Sequence, residues 1–212
     1  MIQVIPAGHP SIFRFSDYPE VVRFPSMDKI VATELSSTYE IDFCNDYLAF
    51  LNACNGFNFD EISIDGIRSY PPDIGHAEQV RYLFGIGSGD AHTDMAIVLP
   101  GMTNYLGKKY LRFCYPVGEG PGGDMFVQIH KGAERGHVML VDHEVHITPD
   151  KFVETYGSDM DEYDVDGFVQ WLCSFSFNRT ADSFDEFLRQ LVAVREEHGP
   201  TRVMVVAKPD GH

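Results

Sequence analysis

Several features by which protein classes are often recognised are scarce in this sequence. Its four cysteines, Cys44, Cys54, Cys114 and Cys173, form no C-x-x-C pair and no tight cluster. That spacing suits neither a zinc site nor a disulfide framework, so it predicts a reducing, cytoplasmic location. No apolar run approaches the roughly 18 residues of a membrane span. The N-terminus also lacks the basic start and apolar stretch of a secretion signal, so we expect no membrane partner.

Basic side chains are scarce relative to acidic ones. There are 16 Lys and Arg residues against 32 Asp and Glu residues, which gives a formal net charge of −16. A surface of this sign repels the phosphates of nucleic acids and of anionic lipids, so we expect neither as a partner. It favours fast encounter with a basic protein. The alternative is that the acidic surplus serves only to keep the protein in solution.

The stretch YPVGEGPGGDMFVQIH, residues 115–130, contains a G-x-G-x-x-G pattern formed by Gly118, Gly120 and Gly123. A dinucleotide-binding loop of this pattern is followed by a helix whose free amide groups hold the pyrophosphate. Here the residues after the glycines alternate between polar and apolar, which is typical of a strand. Glu119 and Asp124 would also repel a phosphate. The stretch is therefore predicted to be a strand, a glycine turn and a second strand.

The spacing of apolar residues predicts the other elements. Helices are expected at 27–35, at 42–54 with Asp42 as the N-cap and Asn55-Gly56 as the end, at 165–175, and at 183–191 with a Ser183/Glu186 capping box. Strands are expected at 80–84, 95–99, 111–115, 125–130 and 137–141. Short glycine-rich connections between the strands favour an antiparallel meander over a doubly wound parallel sheet.

Five of these pieces, in this order, resemble the SUKH superfamily, which includes the Smi/Knr cell-wall regulators of yeast and many bacterial immunity proteins. They are YLAFLNACNG, LFGIGSGD, YPVGEGPGGDMFVQI, GHVMLVDHE and ADSFDEFLRQL. Individual positions that match the family motifs are Asn55, Gly56, Gly118, Gly123, Asp124, Asp142, His143, Glu144, Ser183 and Phe184. The resemblance implies a single α+β domain in which a curved antiparallel sheet packs against helices.

The resemblance also implies a domain organisation. Residues 1–26 would be an N-terminal extension, residues 27–191 the Smi/Knr-like domain, and residues 192–212 a C-terminal tail. The sequence departs from the family at Ile41-Asp42, where Leu-Pro is common, and at 145–180, which is longer than the usual link to the last helix. These departures leave the subgroup, and with it the partner, open.

Members of the family bind proteins, and the family has no catalytic residues to transfer to this chain. The resemblance and the charge together predict a non-enzymatic immunity protein, half of a toxin–antitoxin pair, that neutralises a basic toxin such as a nuclease. The alternative is a regulatory or scaffold adaptor of the same fold. No cofactor is expected. The candidate partner-binding residues are the acidic side chains on the glycine turns: Asp90, Asp94, Glu119 and Asp124.

Two further stretches, one rich in histidine and one acidic, each have a functional and a simpler interpretation. His143, Glu144 and His146 could approach one another around a turn and hold a metal, whereas His137 would lie roughly 20 Å from His143 along the same strand and out of reach. Solvated polar side chains are the simpler interpretation. The acidic run at 159–166 is either a solvated helix start or a strip on which a basic partner docks. We expect no metal site.

Overall fold

A computed structural model describes residues 3–4, 11–13, 25–58, 67–69, 78–105, 108–142 and 177–193. The chain is an α+β protein, as the sequence predicts, with helices packed on an antiparallel sheet. The predicted helix at 165–175, the acidic run at 159–166 and the histidines at 143 and 146 lie outside the described residues.

The elements follow one another along the chain in this order. The helices are α1 (Lys29–Tyr39), α2 (Asn45–Ala53), α3 (Met95–Tyr105), α4 (Lys108–Leu111) and α5 (Phe184–Gln190). The strands are β1 (Gln3–Val4), β2 (Ser11–Phe13), β3 (Phe57–Asn58), β4 (Ile67–Ser69), β5 (Glu78–Val80), β6 (Tyr82–Leu83), β7 (Cys114–Glu119), β8 (Met125–Ile129), β9 (Val138–Val141), β10 (Phe177–Ala181) and β11 (Val192–Ala193).

Among the described strands, six form the main sheet in the order β10-β9-β8-β7-β6-β3, with every neighbouring pair antiparallel. The predicted hairpin is present: β7 and β8 are joined by a short 3-10 turn at Pro121–Gly123. Gly122 and Gly123 have φ values of 79° and 99° there, a conformation that only glycine adopts without strain. The glycine motif is thus a hairpin turn.

A second sheet, seen in the described residues, has five short strands in the order β2-β1-β11-β4-β5. In it β11 pairs in parallel with β1 and antiparallel with β4. Strands from the predicted N-terminal extension and from the start of the predicted tail therefore share one sheet.

The core lies on both sides of the main sheet. Every residue of β8 and β9 is buried, although successive side chains of a strand point to opposite faces. One face is covered by α2 and α5: the Tyr47 and Phe184 rings meet edge to face at 4.9 Å, and the Phe126 ring lies 5.0 Å from that of Phe187. Because both faces of these central strands are covered, neither is open to a partner.

The helices α1, α2 and α5 confirm the sequence pattern, with one change of cap. Asp28 caps α1 by accepting hydrogen bonds from the amides of Ile30 and Val31, at 2.8 and 3.2 Å. Ser183 caps α5 through the Glu186 amide, as predicted. Asp42, the predicted cap of α2, is not one. The helix starts three residues later, and the Asp42 carboxylate pairs with Arg135 at 2.6 Å.

The strand prediction at 95–99 is wrong, because these residues open α3. A continuous apolar run such as MAIVL has no distinguishing period, so its pattern alone does not separate a strand from a helix. The strand predicted at 111–115 is shifted, since Leu111 ends α4 and β7 starts at Cys114. Two helices therefore interrupt the meander between β6 and β7.

Candidate functional site

A buried asparagine fixes the loop that carries two of the predicted acidic residues. The Asn55 amide donates to the carbonyls of Pro25 and Ile86, at 2.7 and 3.1 Å, and its Oδ1 accepts from the Ile86 amide at 2.8 Å. Asn55 has a φ of 52°, which asparagine tolerates better than most residues. Asn55, just after α2, is thus hydrogen-bonded to the segment that leads into α1 and to the loop Gly85–Asp94. We call this loop the glycine loop.

Asp94 is a structural residue of the glycine loop. It is 3% exposed, and its carboxylate accepts hydrogen bonds from the amides of Gly87, Gly89 and Ala96 at 3.0, 2.7 and 3.0 Å. The Ala96 bond is the N-terminal capping interaction of α3. Since the carboxylate is buried and fully engaged, its prediction as a partner-binding side chain is corrected: Asp94 shapes the surface and is not part of it.

Asp90 lies on the outer part of the same loop and is partly exposed. Its Oδ1 accepts from the amides of His92 and Thr93, at 2.9 and 2.8 Å, and from the Thr93 hydroxyl at 3.0 Å. Partial burial acts to raise the pKa of Asp90, but these hydrogen bonds outweigh it and the pKa is lowered. Asp90 is therefore held ionised in a fixed orientation.

The first turns of α1 and α3 meet at the glycine loop. The Asp28 amide donates to the Ile86 carbonyl at 3.2 Å, and a Cβ placed on Gly87 would lie 2.7 Å from Asp28 Cβ. The same Gly87 donates its amide to Asp94. The capping residues of two helices thus contact one glycine, which has a φ of 67°. Glycine suits position 87 because it adopts this positive φ without strain and has no Cβ to collide with Asp28.

The other two predicted residues, Glu119 and Asp124, lie on the β7–β8 hairpin and are partly exposed. Glu119 is paired with Tyr82 in the register of β6 and β7, and the Gly120 amide donates to the Asp124 carbonyl at 2.8 Å. The Tyr82 ring stacks on that of His92 at 5.8 Å, with 13° between the planes. Through this stack the glycine loop, which carries Asp90, lies next to β6 and thus near the end of β7 at Glu119, which the hairpin turn with Asp124 follows.

Two side chains that the sequence pattern did not indicate belong to the same region. Ile30, in the first turn of α1, is 71% exposed, and Ile97, in the first turn of α3, is 51% exposed. No periodicity singles them out, because each lies within a segment whose other apolar residues pack inward. Only the orientation of the finished helices reveals their exposure.

A buried polar network lies on the opposite side of α2. Gln128 accepts from the Tyr115 hydroxyl at 2.5 Å and donates to the Asp46 carboxylate at 3.2 Å and to the Gly136 carbonyl at 2.9 Å. Asp46 also accepts from the Phe184 amide at 2.7 Å, which ties α2 to the start of α5. Each buried polar group here has a protein partner, as a structural network requires.

Cys44 and His130 border this network but are not arranged as a nucleophile and base. Burial raises the pKa of the Cys44 thiol, although a hydrogen bond with Tyr115 acts in the other direction. Both ring nitrogens of His130 are occupied: Nδ1 accepts from the Asp42 amide at 3.2 Å, and Nε2 lies 3.0 Å from the Leu111 carbonyl. Burial lowers the pKa of His130 to about 4. The neutral thiol and the fully paired neutral imidazole suit packing.

Of the histidines weighed for a metal in the sequence, only His137 lies in the described part of the chain. His137 pairs with Glu134, and its Nε2 lies 3.1 Å from an Arg179 nitrogen, so a guanidinium occupies one side of the ring. His143, Glu144 and His146 are outside the described ranges. In the residues that are described, no group of three or more His, Cys, Asp or Glu side chains is placed to hold a metal ion.

The fold and these contacts define an α+β domain with a rigid, partly acidic loop region beside one hairpin. No protein-family model, no curated protein and no solved structure matches the chain. Within the described helices, none is both long and apolar enough to cross a membrane.

Proposed function

We propose that this chain is a SUKH-type protein-binding domain, and that it acts as an immunity protein that binds and neutralises a basic toxin, such as a nuclease, in the cytoplasm. The observation that carries the proposal is the glycine loop, which presents an ionised carboxylate on a rigid frame. The Asn55–Ile86 hydrogen bonds support the family assignment, because they join two of the pieces on which the resemblance rests.

The distribution of charge supports a basic partner at this side of the molecule. The segments 25–58 and 85–105, which include α1, α2 and the glycine loop, contain one basic residue, Lys29. They contain seven acidic residues: Asp28, Glu34, Glu40, Asp42, Asp46, Asp90 and Asp94. Segment 108–142 is nearly balanced by comparison, with five basic and four acidic residues. Among the described segments, those that include the glycine loop thus have the largest acidic surplus, although Asp42, Asp46 and Asp94 are engaged within the fold.

The fold favours binding through loops and helix surfaces. Both faces of β8 and β9 are buried, so a partner has no access to the centre of the main sheet. Acidic side chains on the glycine loop and the hairpin would approach the cationic substrate groove of the toxin. Complementary charge would mainly raise the association rate, and apolar contacts would set the lifetime of the complex.

The test is co-expression of this chain with the protein encoded by the neighbouring gene. We expect cells that express the neighbour alone to stop growing, and cells that express both to grow. Continued arrest while both proteins are soluble overturns the immunity function. Binding without any toxicity of the partner supports the adaptor alternative instead.

A further inference from the structure

The described part of the chain leaves two large apolar side chains mostly exposed, and both lie in first helical turns that meet at Gly87. Ile30 follows the α1 cap Asp28 by two residues, and Ile97 follows the α3 cap Asp94 by three. Both helices already bury other apolar residues, Leu35 in α1 and Met95 and Leu99 in α3. Core packing therefore does not account for the two isoleucines.

We propose that the first turns of α1 and α3, joined by the glycine loop, form the contact surface for a basic protein partner, with Ile30 and Ile97 as its apolar anchors. This proposal rests on the proposed function and adds the surface that performs it. Interfaces commonly place a few apolar anchors inside a polar rim, and the anchors supply most of the affinity.

The two anchors are held on a frame that does not need to reorganise on binding. Asp28 and Asp94 each cap one helix and each contact Gly87, so the two first turns are fixed to the same point of the loop. The loop is fixed in turn to the end of α2 through Asn55. A backbone that is already fixed loses little conformational entropy on binding, which favours affinity.

The charge around the anchors selects a basic protein over a second copy of this chain. Glu34 is four residues from Ile30 and thus lies next to it on the same face of α1, and it is exposed. Asp90, on the glycine loop, is partly exposed, and its carboxylate is held by the amides of His92 and Thr93. A symmetric contact between two copies would bring these carboxylates together, and like charges across an interface oppose association.

The experiment uses the full chain and, as the probe, the purified protein encoded by the neighbouring gene. Ile30→Ser and Ile97→Ser are each expected to raise Kd by about tenfold or more, chiefly through faster dissociation. Glu34→Gln is expected to lower the association rate severalfold and to leave the dissociation rate unchanged. Asp185→Asn, at an exposed position of α5 outside the proposed surface, makes the same charge change and serves as the matched control.

The outcomes separate this surface from the proposed function. If the wild-type chain binds the probe and both serine variants bind it equally well, the surface is wrong while the function stands. If the wild-type chain does not bind the probe, both fall. Unchanged melting temperatures of the variants establish that any loss of binding is not a loss of fold. A wild-type dimer that Ile30→Ser converts to a monomer makes the surface a self-association contact and overturns the proposal.

Discussion

The side chain of Asn55 engages both backbone groups of Ile86, donating to its carbonyl and accepting from its amide. The two residues are 31 positions apart, and the paired hydrogen bonds resemble one rung of a sheet made by a side chain. The glycine loop is therefore fixed to the rest of the protein by a residue that lies outside the loop.

Replacing Asn55 by alanine is expected to lower the free energy of unfolding by about 3 kcal/mol, because the substitution leaves the buried Ile86 amide without its acceptor. Urea denaturation measures the change. Asn52→Ala is the control, since the Asn52 amide is exposed and bonds only to Leu48 within α2; we expect its effect to stay within about 0.5 kcal/mol. Equal effects of the two variants would contradict the anchoring role of Asn55.

Two glycine-to-alanine substitutions are expected to act in opposite directions. A Cβ at Gly85 would lie 2.1 Å from the Asn55 carbonyl oxygen, so Gly85→Ala must displace backbone and should cost about 3 kcal/mol or more. Gly101, within α3, has no atom within 4 Å of the corresponding position. Gly101→Ala should stabilise the protein by about 0.5–1 kcal/mol, because alanine has the higher helix propensity. Thermal unfolding of both variants checks the pair, and destabilisation by Gly101→Ala would contradict a helical backbone at residue 101.

Asp94→Asn is expected to destabilise the protein by about 2 kcal/mol, because an amide nitrogen then faces one of the backbone donors that the carboxylate now accepts. Glu34→Gln, which also removes one charge but lies on the exposed side of α1, should change stability by less than about 0.5 kcal/mol. Denaturant titration of the two variants makes the comparison. If Asp94→Asn unfolds like the wild type, Asp94 is not a structural residue.

The buried His130 is expected to make stability depend on pH. Its pKa is about 4 in the folded protein and 6.5 in the unfolded chain, so the unfolded chain takes up a proton first as the pH falls. The stabilising contribution is complete above pH 6.5 and is lost between pH 6.5 and about 4, with a size of about 3 kcal/mol.

His130→Gln isolates this contribution from that of the carboxylates. The difference in unfolding free energy between the wild type and this variant should shrink as the pH falls through that window. A constant difference between the wild type and His130→Gln would show that His130 does not titrate differently on folding.

The hairpin and loop carboxylates are expected to influence how quickly a partner arrives. Glu119→Gln combined with Asp124→Asn should lower the association rate with the neighbouring gene product severalfold at low salt, and the difference should fade at high salt. Stopped-flow mixing at two ionic strengths measures both rates. An effect confined to the dissociation rate would mean that these side chains make short-range contacts instead of steering the encounter.

The elements that the sequence predicted well are those whose signals are local. For α2, the apolar spacing and the Asn55-Gly56 pair that ends the helix all lie within a few residues of one another. The β7–β8 hairpin likewise has its strands and its glycine turn in one continuous stretch. Ser183 and Glu186 marked the start of α5 for the same reason.

The errors arose where distant contacts decide the outcome. Asp94 starts α3 by binding amides of the glycine loop as well as the Ala96 amide of its own helix, and the helix continues although Pro100 has no amide hydrogen to donate. Asp42 has the residue type of a cap but is drawn to Arg135, 93 positions away. The candidate site was predicted in part: the carboxylates were noticeable as residue types, whereas burial of Asp94 and exposure of Ile30 depend on the assembled fold.

The complete burial of β8 and β9 separates the residues that maintain the architecture from those on the outward sides of the helices and loops. Under the proposed function, substitutions at outward positions of α1, the glycine loop and α3 are expected to alter which protein is bound without disturbing the interior. A library confined to those positions would therefore be a suitable starting point for redirecting this scaffold to new targets.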